Sequence, residues 1–235
     1  RKHGIIVSNV PAYSTKTVAQ FTMALLLEMC DHVGEHSRAV REGEWSSCID
    51  FCFWKYPLVE LAGKTFGIVG FGRIGQEVAK IARAFGMEVV VYSHHEIPAE
   101  RLSEGVSSVS LEELYHRADV ISLHCPLTEE TKGLICEDSI AKMKDGVKII
   151  NTGRGPLIKE KDLSEALKSG KVSGAAVDVA DVEPIPATSP LLTAPNMIIT
   201  PHIAWAAKEA RIRLMEISVQ NLEAYVAGNP IHVVR

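Results

Sequence analysis

The chain has 235 residues, of which 46% are hydrophobic and 23% charged, and its formal net charge is −4. That length buries one large core, alone or with a smaller appendage, and the composition is ordinary for an α/β globular protein. The mild negative charge gives no general pull toward nucleic acid or an anionic membrane, and no apolar run is long enough to span a bilayer.

The chain opens Arg1-Lys2-His3-Gly4 and runs at once into Ile5-Ile6-Val7. Residues 4–9 read as a buried strand closed by Pro11, entered from something upstream. The expectation is a fragment whose N-terminal part is missing. Ser14 and Thr15 offer N-caps for a helix over residues 17–32, in which Val18, Phe21, Leu25 and Met29 recur at helical spacing. The stretch 45–57 is aromatic (Trp45, Phe51, Phe53, Trp54 and Tyr56) without a clean period, and reads as a packed connector or arm.

From Lys64 the pattern becomes regular. Strand-like runs fall at residues 65–69, 88–92, 106–109, 120–123, 147–151, 175–179 and 197–200. Helical patterns or helix-sized gaps separate most of them. Ile74, Val78, Ile81 and Phe85 share one face, Ser110-Leu111-Glu112-Glu113 is a capping box, and residues 162–169 end at Gly170. A last helix over 206–227 stops at Gly228-Asn229-Pro230. Short β-branched strands alternating with helices predict a doubly wound parallel sheet, an α/β fold of the Rossmann type.

Cys30, Cys48, Cys52, Cys125 and Cys136 are odd in number and lack paired spacing. This argues against a disulfide framework and for a reducing, cytoplasmic setting. Cys48 and Cys52 are four apart, but no second Cys/His pair with ligand spacing stands nearby, so no metal site is expected.

Gly70-Phe71-Gly72-Arg73-Ile74-Gly75 follows a strand and opens a helix. In that context the G-x-G-x-x-G run is a dinucleotide cradle. The first glycine permits a tight turn, the second lets backbone approach a diphosphate, and the third lets helix and strand pack closely. Eighteen positions after Gly75, where a ribose-binding carboxylate is expected, stands Ser93, followed by His94 and His95. Without that carboxylate a 2′-phosphate is not repelled. No arginine follows directly to bind one, so both NAD and NADP remain open.

These stretches, with Gly63-Lys64-Thr65, Leu123-His124-Cys125-Pro126-Leu127-Thr128, Ile150-Asn151-Thr152-Gly153-Arg154-Gly155, the run from Asp178 to Pro184, and Pro201-His202-Ile203-Ala204-Trp205, resemble the D-isomer-specific 2-hydroxyacid dehydrogenases. The resemblance is nearest to the glycerate dehydrogenase and hydroxypyruvate reductase branch. It implies hydride transfer between NAD(P)(H) and a small D-2-hydroxy acid or 2-keto acid, glycerate/hydroxypyruvate or glyoxylate first.

The resemblance further implies a catalytic set of Arg154, Glu183 and His202. A guanidinium can hold a carboxylate bidentately. An imidazole can exchange a proton near neutral pH, and a carboxylate on its far nitrogen fixes its tautomer. In isolation each residue also reads as a loop ion pair, a structural histidine or a solvated acid. Together, each at an expected strand end, they read as catalytic. The resemblance places Asp178 near the nicotinamide carboxamide, Pro126 along the cofactor cleft, and Thr152 and Gly153 at backbone contacts.

It also implies that residues 1–10 are the last strand of a smaller substrate domain, that 11–205 form the nucleotide domain, and that 206–235 return to the substrate domain. A region of about residues 17–57 would form a homodimer. Two other readings are an NAD(H)-sensing corepressor-type scaffold and a cofactor-binding fragment without full activity. A formate dehydrogenase-like activity is disfavoured, because those relatives carry Gln where Glu183 stands.

Overall fold

The computed structural model describes residues 5–102 and 104–234. Seven parallel strands, β1 (Thr65–Val69), β2 (Glu88–Tyr92), β3 (Val106–Ser108), β4 (Val120–Leu123), β5 (Val147–Asn151), β6 (Val172–Val177) and β7 (Met197–Ile199), form one sheet. Their order is β3-β2-β1-β4-β5-β6-β7, so the winding reverses beside β1. Ligands bind at such a reversal, outside the carboxyl ends of the strands.

Period-2 alternation assigns the strand side chains to two cores. Phe66 and Ile68 of β1, Val89 and Val91 of β2 and Ile150 of β5 face one side. There they pack on Met23 and Leu26 of α1 (Thr15–Asp31) and Val78 of α3 (Arg73–Ala84). Val69, Val90, Ile121 and Ile149 face the other side. They meet Leu114 of α4 (Leu111–Arg117), Ile140 of α5 (Glu137–Ala141) and Leu163 of α6 (Glu160–Ser169). Both faces are covered, so the strands read as unbroken apolar runs.

Most expected elements lie within two or three residues of those observed. Ser14 flanks α1 without a side-chain cap bond. Ser110 caps α4 by accepting from the Glu113 backbone N–H, but the reciprocal half of the expected box is missing because the Glu113 carboxylate pairs with Arg117 instead. Gly170 ends α6 at φ +80° as expected.

The buried strand expected over residues 4–9 does not form. Gly4 lies outside the described residues, and Ile5, Ile6 and Val7 are 67%, 47% and 53% exposed. Among the described residues of this segment only Ser8 pairs, in a single antiparallel bridge with Val233. An apolar run buries itself only against neighbours, and this one is held by hydrogen bonds at residues 7–9 while its apolar side chains stay uncovered. The last helix, α7 (Lys208–Val226), is tied to the same segment: Arg213 Nε donates to the Tyr13 carbonyl and Asn221 Nδ2 to the Asn9 carbonyl, each at 2.9 Å. Only Ala210 of α7 is buried. Ile212, Met215, Val219, Leu222 and Val226 leave an exposed apolar stripe at helical spacing. Among the described residues no helix is long and apolar enough to cross a membrane.

Candidate active site

The glycine turn lies where β1 hands over to α3. Gly70 has φ +97°, a left-handed conformation, and a Cβ there would sit 2.5 Å from the Cys125 backbone nitrogen. A Cβ on Gly75 would overlap the Gly70 carbonyl. Gly72 differs from both, since a Cβ there would meet nothing within 4 Å. Two glycines are thus required by the fold, and the third keeps a surface open. Gly72 is also the N-cap of α3, with no capping side chain and no acidic residue in the first turn. The free N–H groups of that turn and the positive helix end therefore face an open surface, which fits a diphosphate.

The loops after β5, β6 and β7 carry the other expected residues. Gly155 follows Arg154 and packs so closely on Ala180 and Asp181 that a Cβ would overlap their backbone. The Arg154 loop and the loop bearing Glu183 are thereby in contact. Glu160 of α6 braces the second loop, accepting from the Asp181 N–H at 2.9 Å and the Ser189 hydroxyl at 2.7 Å.

His202 Nδ1 lies 2.7 Å from Glu183 Oε2, and Glu183 Oε1 accepts from the Ala180 N–H at 3.1 Å. Burial alone would raise the Glu183 carboxyl. The His202 hydrogen bond, the Ala180 N–H and the charges of His202 and Arg154 outweigh it and hold the group below the usual glutamate range. Of these the Arg154 charge is the weakest. Arg154 Nη1 donates to the Gly153 carbonyl at 2.8 Å.

The other expected residues are placed as follows. Thr152 turns its hydroxyl to Thr22 of α1, at 3.2 Å. Pro126 is exposed on the loop after β4, and its carbonyl accepts from the Thr131 hydroxyl at 2.7 Å. Ser93 is half-buried just past β2, beside exposed His94 and His95. Asp178, expected near a carboxamide, is 1% exposed and engaged by the loop around His202. Arg73 is exposed and Ile74 half-buried at the head of α3.

Sequence reasoning overlooked Asn151. It is fully buried at the end of β5, donates to the Arg154 carbonyl at 2.8 Å and accepts from the Gly153 N–H at 3.0 Å. An amide inside the apolar run Ile149-Ile150 was the available signal, since a buried polar side chain is retained only where it is bonded. A cavity of about 910 Å³ opens at the other end of the sheet, lined in part by Cys30, Lys64, Asp119 and Lys148, away from these residues.

His124, on the loop that touches Gly70, has Nε2 2.8 Å from the Ser122 hydroxyl, and burial pushes its imidazole down to about 4. An unfolded histidine takes up its proton near pH 6.5. Between those values the unfolded chain binds a proton that the native chain does not, so stability falls as pH falls through that window. The loss should approach roughly 3 kcal/mol at full protonation. Urea midpoints measured from pH 7 to pH 5 check this. A His124→Gln protein should show a flatter slope, and an equal slope would remove His124 as the cause.

A glycine turn at a topological reversal and a paired imidazole and carboxylate at the same strand ends define a dinucleotide-binding α/β oxidoreductase. The family profile described as "D-isomer specific 2-hydroxyacid dehydrogenase, NAD binding domain" matches residues 23–204. The chain belongs to that family, and it is an NAD(P)-dependent 2-hydroxyacid oxidoreductase. It is 55% identical over 234 residues to a hydroxypyruvate reductase of Blautia hydrogenotrophica, covering all of this chain and 72% of the relative. It is 39% identical over 236 residues to a glycerate dehydrogenase of Methylorubrum extorquens, covering all of this chain and 73% of that one. The crystal structure of a D-lactate dehydrogenase from Aquifex aeolicus, complexed with NAD and lactic acid, superposes with a TM-score of 0.85 at 34% identity. That match covers all of this chain and 75% of the solved one.

Proposed function

We propose that the chain reduces a small 2-keto acid, hydroxypyruvate or glyoxylate, to the corresponding hydroxy acid through Arg154, Glu183 and His202. The observation that carries this reading is the 2.7 Å pair between His202 Nδ1 and Glu183 Oε2, on a loop after the same parallel sheet that bears the open Gly72 turn. The nicotinamide, when bound, supplies the hydride to substrate C2. The turn of Gly70, Gly72, Arg73, Ile74 and Gly75 holds the diphosphate. Ser93 meets the adenosine ribose, while Pro126, Thr152 and Asp178 border the rest of the nucleotide.

Arg154 clamps the substrate carboxylate and polarises the keto group. His202, with Nδ1 committed to Glu183, gives a proton from Nε2 to the C2 oxygen. Glu183 fixes the tautomer and the orientation of the ring.

The absence of a carboxylate at Ser93 supports acceptance of both NADH and NADPH. Trp45, Phe51 and Trp54 are 51%, 88% and 67% exposed, which supports a homodimer formed through the region of residues 17–57. The exposed apolar stripe of α7 and the run 5–7 support a further, smaller domain packing there. Unpaired cysteines support a reducing, cytoplasmic setting.

The test is NADH and NADPH oxidation with hydroxypyruvate, glyoxylate and pyruvate, for wild type and Arg154→Lys. The point charge of lysine cannot replace the guanidinium fork. The variant should lose about 10- to 10²-fold in kcat/KM for the keto acid while NADH affinity stays near normal. Equal kinetics would contradict the clamp, and no turnover of any keto acid by wild type would contradict the substrate class.

A further inference from the structure

The loop that carries His202 has an unusual backbone. Thr200 precedes a proline, which favours extended geometry at residue 200. The His202 N–H then turns back to the Thr200 carbonyl at 3.0 Å, and His202 itself has φ +54°. A residue with a Cβ is disfavoured in the left-handed region and stays there only where its surroundings hold it.

The surroundings here converge on one carboxylate. Asp178 lies just past β6, is 1% exposed, and accepts from the Thr200 hydroxyl at 2.6 Å and the Ile203 N–H at 2.9 Å, both through Oδ1. Its Oδ2 accepts from the Ala204 N–H at 2.7 Å. Three donors flanking His202 on both sides are therefore gathered on a single buried group. The Asp178 N–H in turn donates to the Asn151 carbonyl at 2.9 Å, so the clamp is anchored to β5. Asn151, the last residue of β5, holds the Arg154 loop, and Asp178 follows directly on the neighbouring β6.

We propose that Asp178 is a positioning residue for proton transfer: by fixing the donors of Thr200, Ile203 and Ala204 it holds the His202 backbone in the left-handed turn that presents Nδ1 to Glu183. This rests on His202 being the proton-transfer group. It assigns Asp178 a task beyond any contact with the nucleotide.

Replacing the carboxylate by an amide makes the argument testable. In Asp178→Asn one acceptor oxygen becomes an N–H₂ donor, which then faces either the Ile203 N–H or the Ala204 N–H. Both of those backbone groups can only donate. The loop loses a partner, relaxes, and moves the imidazole off Glu183. A displacement of that kind costs roughly 10²-fold in turnover.

The readout is the Nδ1–H resonance of His202 in ¹⁵N-histidine-labelled protein, assigned by its disappearance in His202→Asn. It does not depend on activity. In Asp178→Asn the resonance should shift upfield or vanish. At saturating NADH, kcat should fall far more than KM for the keto acid changes. An unshifted resonance in a folded variant would overturn the proposal. So would an NADH affinity lowered more than about tenfold with the resonance intact, which would make Asp178 a nucleotide contact only. If circular dichroism shows that Asp178→Asn does not fold, Thr200→Val decides, since it removes one of the three bonds and keeps the shape. A smaller shift in the same direction supports the clamp, and no shift overturns it. Unchanged turnover in His202→Asn would sink the catalytic reading separately, because the resonance would still report whether the loop is held.

Discussion

Replacing His202 by Asn is expected to lower kcat by roughly 10²- to 10⁴-fold, the range that a positioned proton donor contributes. NADH affinity should stay within about twofold of wild type, because the glycine turn is untouched. Asparagine is the informative substitution at this position. The backbone has φ +54°, and asparagine tolerates the left-handed region where alanine does not. An alanine variant would mix loss of the imidazole with relaxation of a loop that Asp178 holds under strain. The asparagine variant removes the titrating ring and leaves the three hydrogen bonds to Asp178 their reason to persist.

The carboxylate of Glu183 should then behave differently. In wild type the His202 hydrogen bond and charge help to hold it below the usual range. Without them, burial is opposed only by the Ala180 N–H and Arg154, so its protonation should move upward. Single-turnover measurements of NADH oxidation with hydroxypyruvate test the main claim. Turnover within about tenfold of wild type would leave His202 without the proton-transfer role.

Much of this arrangement could be read from the residues, for a physical reason. β1, β2, β4 and β5 begin and end where the apolar runs do, because strands covered on both faces need continuous hydrophobic sequence bounded by turn residues. β6 starts three residues earlier than expected, at Val172, because Ser173 and Gly174 dilute the pattern. Pairing with β5, which extends that far, and not intrinsic preference, keeps them in the strand.

α2 (Val33–Arg41) gave no usable pattern. Only Ala39 of it is buried, and its exposed face relies on Arg38 paired with Glu35 and Glu42. α5 is only five residues long, and its N-cap is Cys136, an uncommon residue there, whose N–H donates to the Ser139 hydroxyl.

The Arg154, Glu183 and His202 positions were legible as motifs at strand ends. Asp178 was legible as a motif residue but not as a clamp. Its partners Thr200, Ile203 and Ala204 lie more than twenty residues away, and only the folded β6–β7 edge brings them together.

The second large effect should come from Gly72→Val, and here the fold and the ligand make separable demands. Residue 72 has φ −75° and ψ −165°, a conformation open to any L-residue and natural for a β-branched one. A Cβ there touches nothing of the protein within 4 Å. The variant should therefore melt within a degree or two of wild type, as expected for a surface substitution. The same added carbons fall on the surface where a diphosphate must come close to the first N–H groups of α3. Nucleotide affinity should drop at least about 10²-fold, since a bulky group there both blocks the approach and costs hydrogen bonds to a charged ligand. Gly75→Ala is the control with the opposite signature. Its Cβ would overlap the Gly70 carbonyl, so the α3–β1 packing must give way and the thermal midpoint should fall. NADH fluorescence titration beside thermal melts of the two variants separates the cases. Retained NADH binding by a folded Gly72→Val protein would mean that the nucleotide does not lie on this turn, and proton transfer at His202 would then lose the partner that makes it a reduction.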